Sequence, residues 1–61
     1  MNNLKMFREK KNIPQSFLAQ QLNVSQQAIS MWEKGESFPR ADKLLLLSKI
    51  LDCTVDELLK N

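Results

Sequence analysis

Residues Gln15–Gly35 read QSFLAQQLNVSQQAISMWEKG. Leu18, Ala19 and Leu22 fall on one helical stripe, and a second stripe follows at Ala28, Ile29 and Trp32. The spacing predicts a first helix over about 15–22 and a second over about 26–34. Between them, Asn23 is a turn residue, Val24 plugs the angle, and Ser25 is a good N-cap. Gly35 supplies the positive-φ position that closes the second helix. Phe17 does not fit the apolar stripe of its helix and reads as a contact for an unidentified protein.

Outward from this stretch, the punctuators Asn, Pro and Gly separate three further helical segments. Leu4, Phe7 and the stem of Arg8 predict a helix over about 3–11, ended by Asn12, which tolerates left-handed backbone. Ile13 then enters the core, and Pro14 prevents the helix from continuing. Past a loop holding Pro39, Ala41–Leu51 is expected to turn Leu44, Leu47, Ser48 and Leu51 inward. Asp52 and Cys53 form a break. Thr54-Val55-Asp56-Glu57 has the form of a capping box and opens a short last helix that buries Leu58, with Leu59 beside it. No segment alternates with period two, so an all-α architecture of five helices in one domain, 1–61, is expected, with no sheet.

Sixty-one residues allow one small core. A single cysteine excludes an internal disulfide, and the absence of His leaves no zinc site, so a helical bundle is the available route to stability. Cys53 reads as a small buried hydrophobe in a reducing compartment. The longest apolar run, Leu44–Leu47, is far too short to span a bilayer, and no signal-peptide core is present. A soluble cytoplasmic protein is expected, with no membrane partner. The net charge of +2 says less than its placement: Lys5, Arg8, Lys10, Lys11, Lys34 and Arg40 are spread over the first two thirds, whereas Asp52, Asp56 and Glu57 gather at the end.

The chemistry lies on the far side of the second helix of the quoted stretch, which carries Gln26, Gln27, Ser30, Met31 and Lys34. A glutamine amide offers a donor and an acceptor in one plane, which suits the edge of a base pair in the major groove. Two short helices with that outward face make a helix-turn-helix, and sequence-specific binding of double-stranded DNA is the leading expectation.

These residues resemble the phage Cro and repressor helix-turn-helix family, the XRE type. The likeness runs from Leu4 to Leu59. It rests on Gln15, Leu18-Ala19, Val24-Ser25, Ile29-Ser30, Trp32-Glu33 and Gly35, followed by Pro39, Leu44, Leu47, Leu51, Val55 and Leu58 in order. The resemblance implies base contacts from Gln26, Gln27 and Met31. Met31 has two readings, a touch on a thymine methyl or packing over Phe38. Backbone contacts are implied for Gln15, Ser25, Ser30, Lys34 and Arg40, and a structural bridge for Arg8 with Glu33. The chain departs from the family pattern where Pro14 and Arg40 stand in place of small polar caps, and where Asp52 replaces a common Gly.

Leu45, Leu46 and Ile50 cannot all face one small core. A self-complementary patch of Leu46, Ile50, Val55 and Leu59 is expected, making a homodimer whose recognition helices lie about 34–36 Å apart on a pseudo-palindromic operator. The leading reading is therefore a transcriptional repressor that blocks polymerase by occupying its site. The alternative is a protein-interaction module on the same fold, an antitoxin or anti-repressor partner, supported by Phe17 and the leucines of 41–51. Catalysis is not expected: His, Tyr, a phosphate-cradling Gly-rich loop and a metal-ligand cluster are all missing, and Asp56-Glu57 is explained by a helix start. No cofactor and no small-molecule effector is implied.

Overall fold

The computed structural model describes residues 1–60, the side chain of Asn2 excepted. Five helices follow one another: α1 (Asn2–Lys10), α2 (Gln15–Leu22), α3 (Gln26–Lys34), α4 (Ala41–Leu51) and α5 (Val55–Leu59), with no strand among the described residues. The expected bounds of α2, α3 and α4 hold. Helix α1 starts and stops one residue earlier than the spacing suggested, because Lys11 already sits at φ −91° and ψ 0° and belongs to the closing turn.

One device ends each of the first four helices. Asn12, Asn23, Gly35 and Asp52 all take left-handed backbone, with φ of 56°, 57°, 79° and 54°. The N–H of the next residue then reaches back five residues: Ile13 to Arg8, Val24 to Ala19, Glu36 to Met31 and Cys53 to Ser48, at 2.9–3.1 Å. These are Schellman closures, which satisfy carbonyls that a helix end would otherwise leave without partners. Three of the four following residues (Ile13, Val24 and Cys53) pack against the core, so each turn both stops a helix and seals an edge.

Helix starts are less uniform. Ser25 Oγ accepts the Ala28 N–H at 3.0 Å, and the Thr54–Glu57 capping box is complete, with bonds of 2.9 and 3.0 Å. Pro14 and Arg40 stand at the N-caps of α2 and α4 with no side-chain cap bond, as their residue types require.

The core is built from Leu4, Leu18, Leu22, Ile29, Leu47, Leu51 and Leu58, all essentially inaccessible, with Trp32, Ala19 and Met1 around them. Each fully buried aliphatic side chain contributes about 1.5–3 kcal/mol. Phe7, Ile13, Leu44 and Ile50 close its periphery, half-buried. Ser48 is half-buried rather than inward, its hydroxyl donating to the Leu45 carbonyl at 2.7 Å. Leu59 is not in the core. It is 47% exposed, because the single inward position of the five-residue α5 is taken by Leu58 and the next residue lies about 100° further round the helix.

Candidate nucleic-acid interface

Helix α3 is held from behind. Ile29, Trp32 and Glu33 are buried against α1 and α2, while Gln26, Gln27 and Lys34 are exposed, and Ser30 and Met31 are half-buried between the two sides. The face predicted to meet a duplex is thus open. Phe38 is 67% exposed and Met31 is half-buried.

The tilt of α3 is set by a charged network under its last turn. Arg8 Nε donates to Glu33 Oε2 at 2.6 Å, Arg8 Nη2 to Glu33 Oε1 at 3.3 Å, and Arg8 Nη1 to the Ile13 carbonyl at 2.9 Å. The predicted Arg8–Glu33 bridge therefore exists and is almost fully buried, with side-chain exposures of 11% and 6%. Gln15 joins it: its Nε2 donates to Glu33 Oε1 at 2.9 Å. From sequence, Gln15 carries only an expected backbone contact; this bond fixes its carboxamide at the first turn of α2, and its second N–H and its carbonyl oxygen have no partners among the described residues. No buried side-chain nitrogen or oxygen among the described residues lacks a hydrogen-bond partner.

A second tie was also invisible in the sequence. Lys43 Nζ, in the first turn of α4, donates to the Leu22 carbonyl at 2.7 Å. Leu22 is the last residue of α2, so an ammonium group caps the helix end next to the turn into α3. The α2–α3 unit is thereby anchored from α1 on one side and α4 on the other.

Above the Arg8–Glu33 network lies an open cleft of about 390 Å³, lined by Lys5, Arg8, Gln15, Ser30, Glu33 and Lys34. It gathers three of the expected backbone-contact residues, Gln15, Ser30 and Lys34. Ser25 and Arg40 are exposed outside it; Ser25 Oγ is engaged as the α3 cap, and Arg40 Nε stands 3.9 Å from Asp42 on the surface. Of the expected self-association residues, Leu46 and Leu59 are 40% and 47% exposed, whereas Ile50 and Val55 are half-buried. Phe17 and Leu45 are exposed, as their sequence positions suggested.

Cys53 is half-buried, and burial, with the negative charges of Glu57 and Asp52 behind it, pushes its thiol pKa up, away from the reactive thiolate. No group of three or more His, Cys, Asp or Glu side chains among the described residues could hold a metal ion. No helix among them is long and apolar enough to cross a membrane.

The class is defined by this geometry: two short helices joined at Asn23-Val24-Ser25, the second clamped on one face and open on the other. Residues 4–58 match the helix-turn-helix family model, and the chain belongs to that family. It is 46% identical over 56 residues to the HTH-type transcriptional activator BcrR of Enterococcus faecalis, covering 92% of this chain and 28% of that protein. It is 47% identical over 53 residues to repressor protein C2 of Salmonella phage P22, covering 87% of this chain and 24% of that one. The fold superposes on the crystal structure of the P22 c2 repressor in complex with a synthetic operator, with a TM-score of 0.89 and 42% identity over 97% of this chain and 89% of that chain. The chain thus spans about a quarter of the length of the curated relatives it matches.

Proposed function

We propose that this chain is a sequence-specific double-stranded DNA-binding module of a transcriptional regulator, reading the major groove with α3. The observation that carries this is the pair Gln26 and Gln27, exposed on the first turn of a helix whose opposite face is buried. Their amides are the base readers, with Met31 beside them. Gln15, Ser25, Ser30, Lys34 and Arg40 contact the phosphates, which orient the module without reading sequence. The likeness to a repressor solved on its operator supports this reading.

The module acts in the cytoplasm, without catalysis and without a cofactor, and pairs with a second copy on a pseudo-palindromic site. Its relatives include both an activator and a repressor. Repression is the simpler outcome, because a module seated in the groove occludes polymerase by occupancy alone.

Fluorescence anisotropy on duplexes selected from a random pool tests the reading. The wild type is expected to prefer a defined site over scrambled duplex. Gln26→Ala and Gln27→Ala should each lose about 1–3 kcal/mol of that preference while melting like the wild type. No sequence preference at any salt concentration overturns the proposal. The second reading, a protein-interaction module, draws on the exposure of Phe17 and Leu46. It requires Phe17→Ala to abolish function while Gln26→Ala and Gln27→Ala leave it intact.

A further inference from the structure

The cleft over the α1–α3 network contains a cation that the sequence pattern did not single out. Lys5 lies on α1 three residues before Arg8, so the two share a face, and both line the cleft together with Ser30 and Lys34 of α3. The four charged groups there are not equivalent. The Glu33 carboxylate is taken up by Arg8 through two bonds and by Gln15 through a third, and Arg8 gives a further N–H to Ile13. That pair is buried and mutually neutralised. Lys5 and Lys34 are exposed, and neither has an ion-pair partner among the described residues. The cleft lining therefore carries two exposed positive charges, one from α1 and one from α3, beside the neutralised Arg8–Glu33 pair, together with the Gln15 amide and the Ser30 side chain.

We infer that Lys5 is a further DNA-positioning residue, closing with Lys34, Gln15 and Ser30 a seat for one backbone phosphate of the bound duplex. A tetrahedral anion with exposed oxygens suits a site offering two ammonium groups and a carboxamide N–H from three different helices. The exposed ammonium groups supply attraction, and the buried Arg8–Glu33–Gln15 network holds the Gln15 amide in place by hydrogen bonds. The inference rests on the DNA-binding reading and deepens it: Lys5 extends the interface from α2 and α3 onto α1, and it fixes register rather than sequence.

The test is the salt dependence of duplex binding by Lys5→Ala, Lys5→Arg and Lys49→Ala, measured by anisotropy on the selected site and on scrambled duplex. Lys49 is exposed on α4 and absent from the cleft lining, so its variant measures the effect of losing any one surface charge. Lys5→Ala is expected to lower the slope of log K against log salt by about 0.9, the contribution of one phosphate. Its affinity deficit should shrink about 3.5-fold between 50 and 200 mM salt, with the ratio of selected to scrambled binding unchanged. Lys5→Arg should keep the slope, and Lys49→Ala should leave it near the wild-type value. A wild-type slope in Lys5→Ala, or an equal drop in Lys49→Ala, overturns the inference while leaving the DNA-binding reading intact. Failure of the wild type to bind any duplex overturns that reading, and this inference with it.

Discussion

Arg8 and Glu33, 25 positions apart, meet at 2.6 Å beneath the last turn of α3 and join it to α1 with almost no exposure to water. Breaking such a pair from one side strands the other charge, at a cost of about 3–5 kcal/mol. Arg8→Met is therefore expected to remove a large share of the stability of a domain this small, read as a lower urea midpoint with an unchanged slope. Arg8→Lys should recover only part of the loss, since a point ammonium cannot reproduce the two contacts to Glu33 and the third to Ile13. A near-wild-type urea curve for Arg8→Met would show that the pair contributes nothing net.

What the sequence disclosed and what it hid divide along the range of the interaction. Helix ends were readable because each stop is local: Asn12, Asn23 and Gly35 carry their conformational preference on their own residue type, and Ser25 and Thr54 cap helices three residues away. The inward stripe and the outward Gln26–Gln27 face were readable because helical period fixes both together. The Lys43–Leu22 bond and the Gln15–Glu33 bond span 21 and 18 positions between different helices and leave no periodic trace. The sequence does not set Lys5 apart for the same reason: on α1 alone it is one exposed lysine among several, and only the packing of α1 against α3 brings it to the cleft.

The left-handed residue at the end of α4 offers a stabilising change. Asp52 sits at φ 54°, a left-handed position that Asp tolerates better than most residues but that glycine takes without a Cβ penalty. Its only ion pair among the described residues, to Lys11 at 3.8 Å, is exposed and of little worth. Asp52→Gly should raise the thermal midpoint by several degrees, at about 4–8 °C per kcal/mol for a domain of this size. Gly35→Ala, at φ 79°, should lower it, although the added methyl group would meet nothing closer than the Met1 nitrogen at 3.8 Å. Equal midpoints for both variants and the wild type would mean that these turns are not under backbone constraint.

The capping box at the start of α5 predicts an acid-sensitive contribution. The Thr54 backbone N–H, donating to Glu57 Oε1, and then the Thr54 side chain hold the Glu57 pKa below the usual carboxylate value. Because the folded pKa lies below the unfolded one, the contribution is fully present above the unfolded value of about 4.3 and fades as pH falls through the folded pKa. Glu57→Gln should thus be less stable than the wild type at pH 7 and close to it near pH 3. Parallel thermal melts at the two pH values check this; a difference that does not narrow on acidification assigns the loss to packing instead.

The self-association proposed for the module is tested by separating assembly from folding at Leu46. This side chain is 40% exposed on α4, with Ile50 one turn along and half-buried against the core, so a glutamate at 46 meets water in a monomer and a like charge in a two-fold pair. Leu46→Glu should keep the wild-type melting curve under dilute conditions while sedimentation equilibrium shifts toward the monomer mass. On DNA, the wild type should favour a duplex carrying two half-sites one helical turn apart over a duplex carrying one, because the second module then binds at a high effective concentration. Leu46→Glu should lose that preference and retain affinity for the single half-site. If the variant still favours the paired sites and sediments like the wild type, the recognition helices are joined through another surface. The exposed Leu46 and Leu59 would then be ordinary apolar positions of the kind most protein surfaces carry.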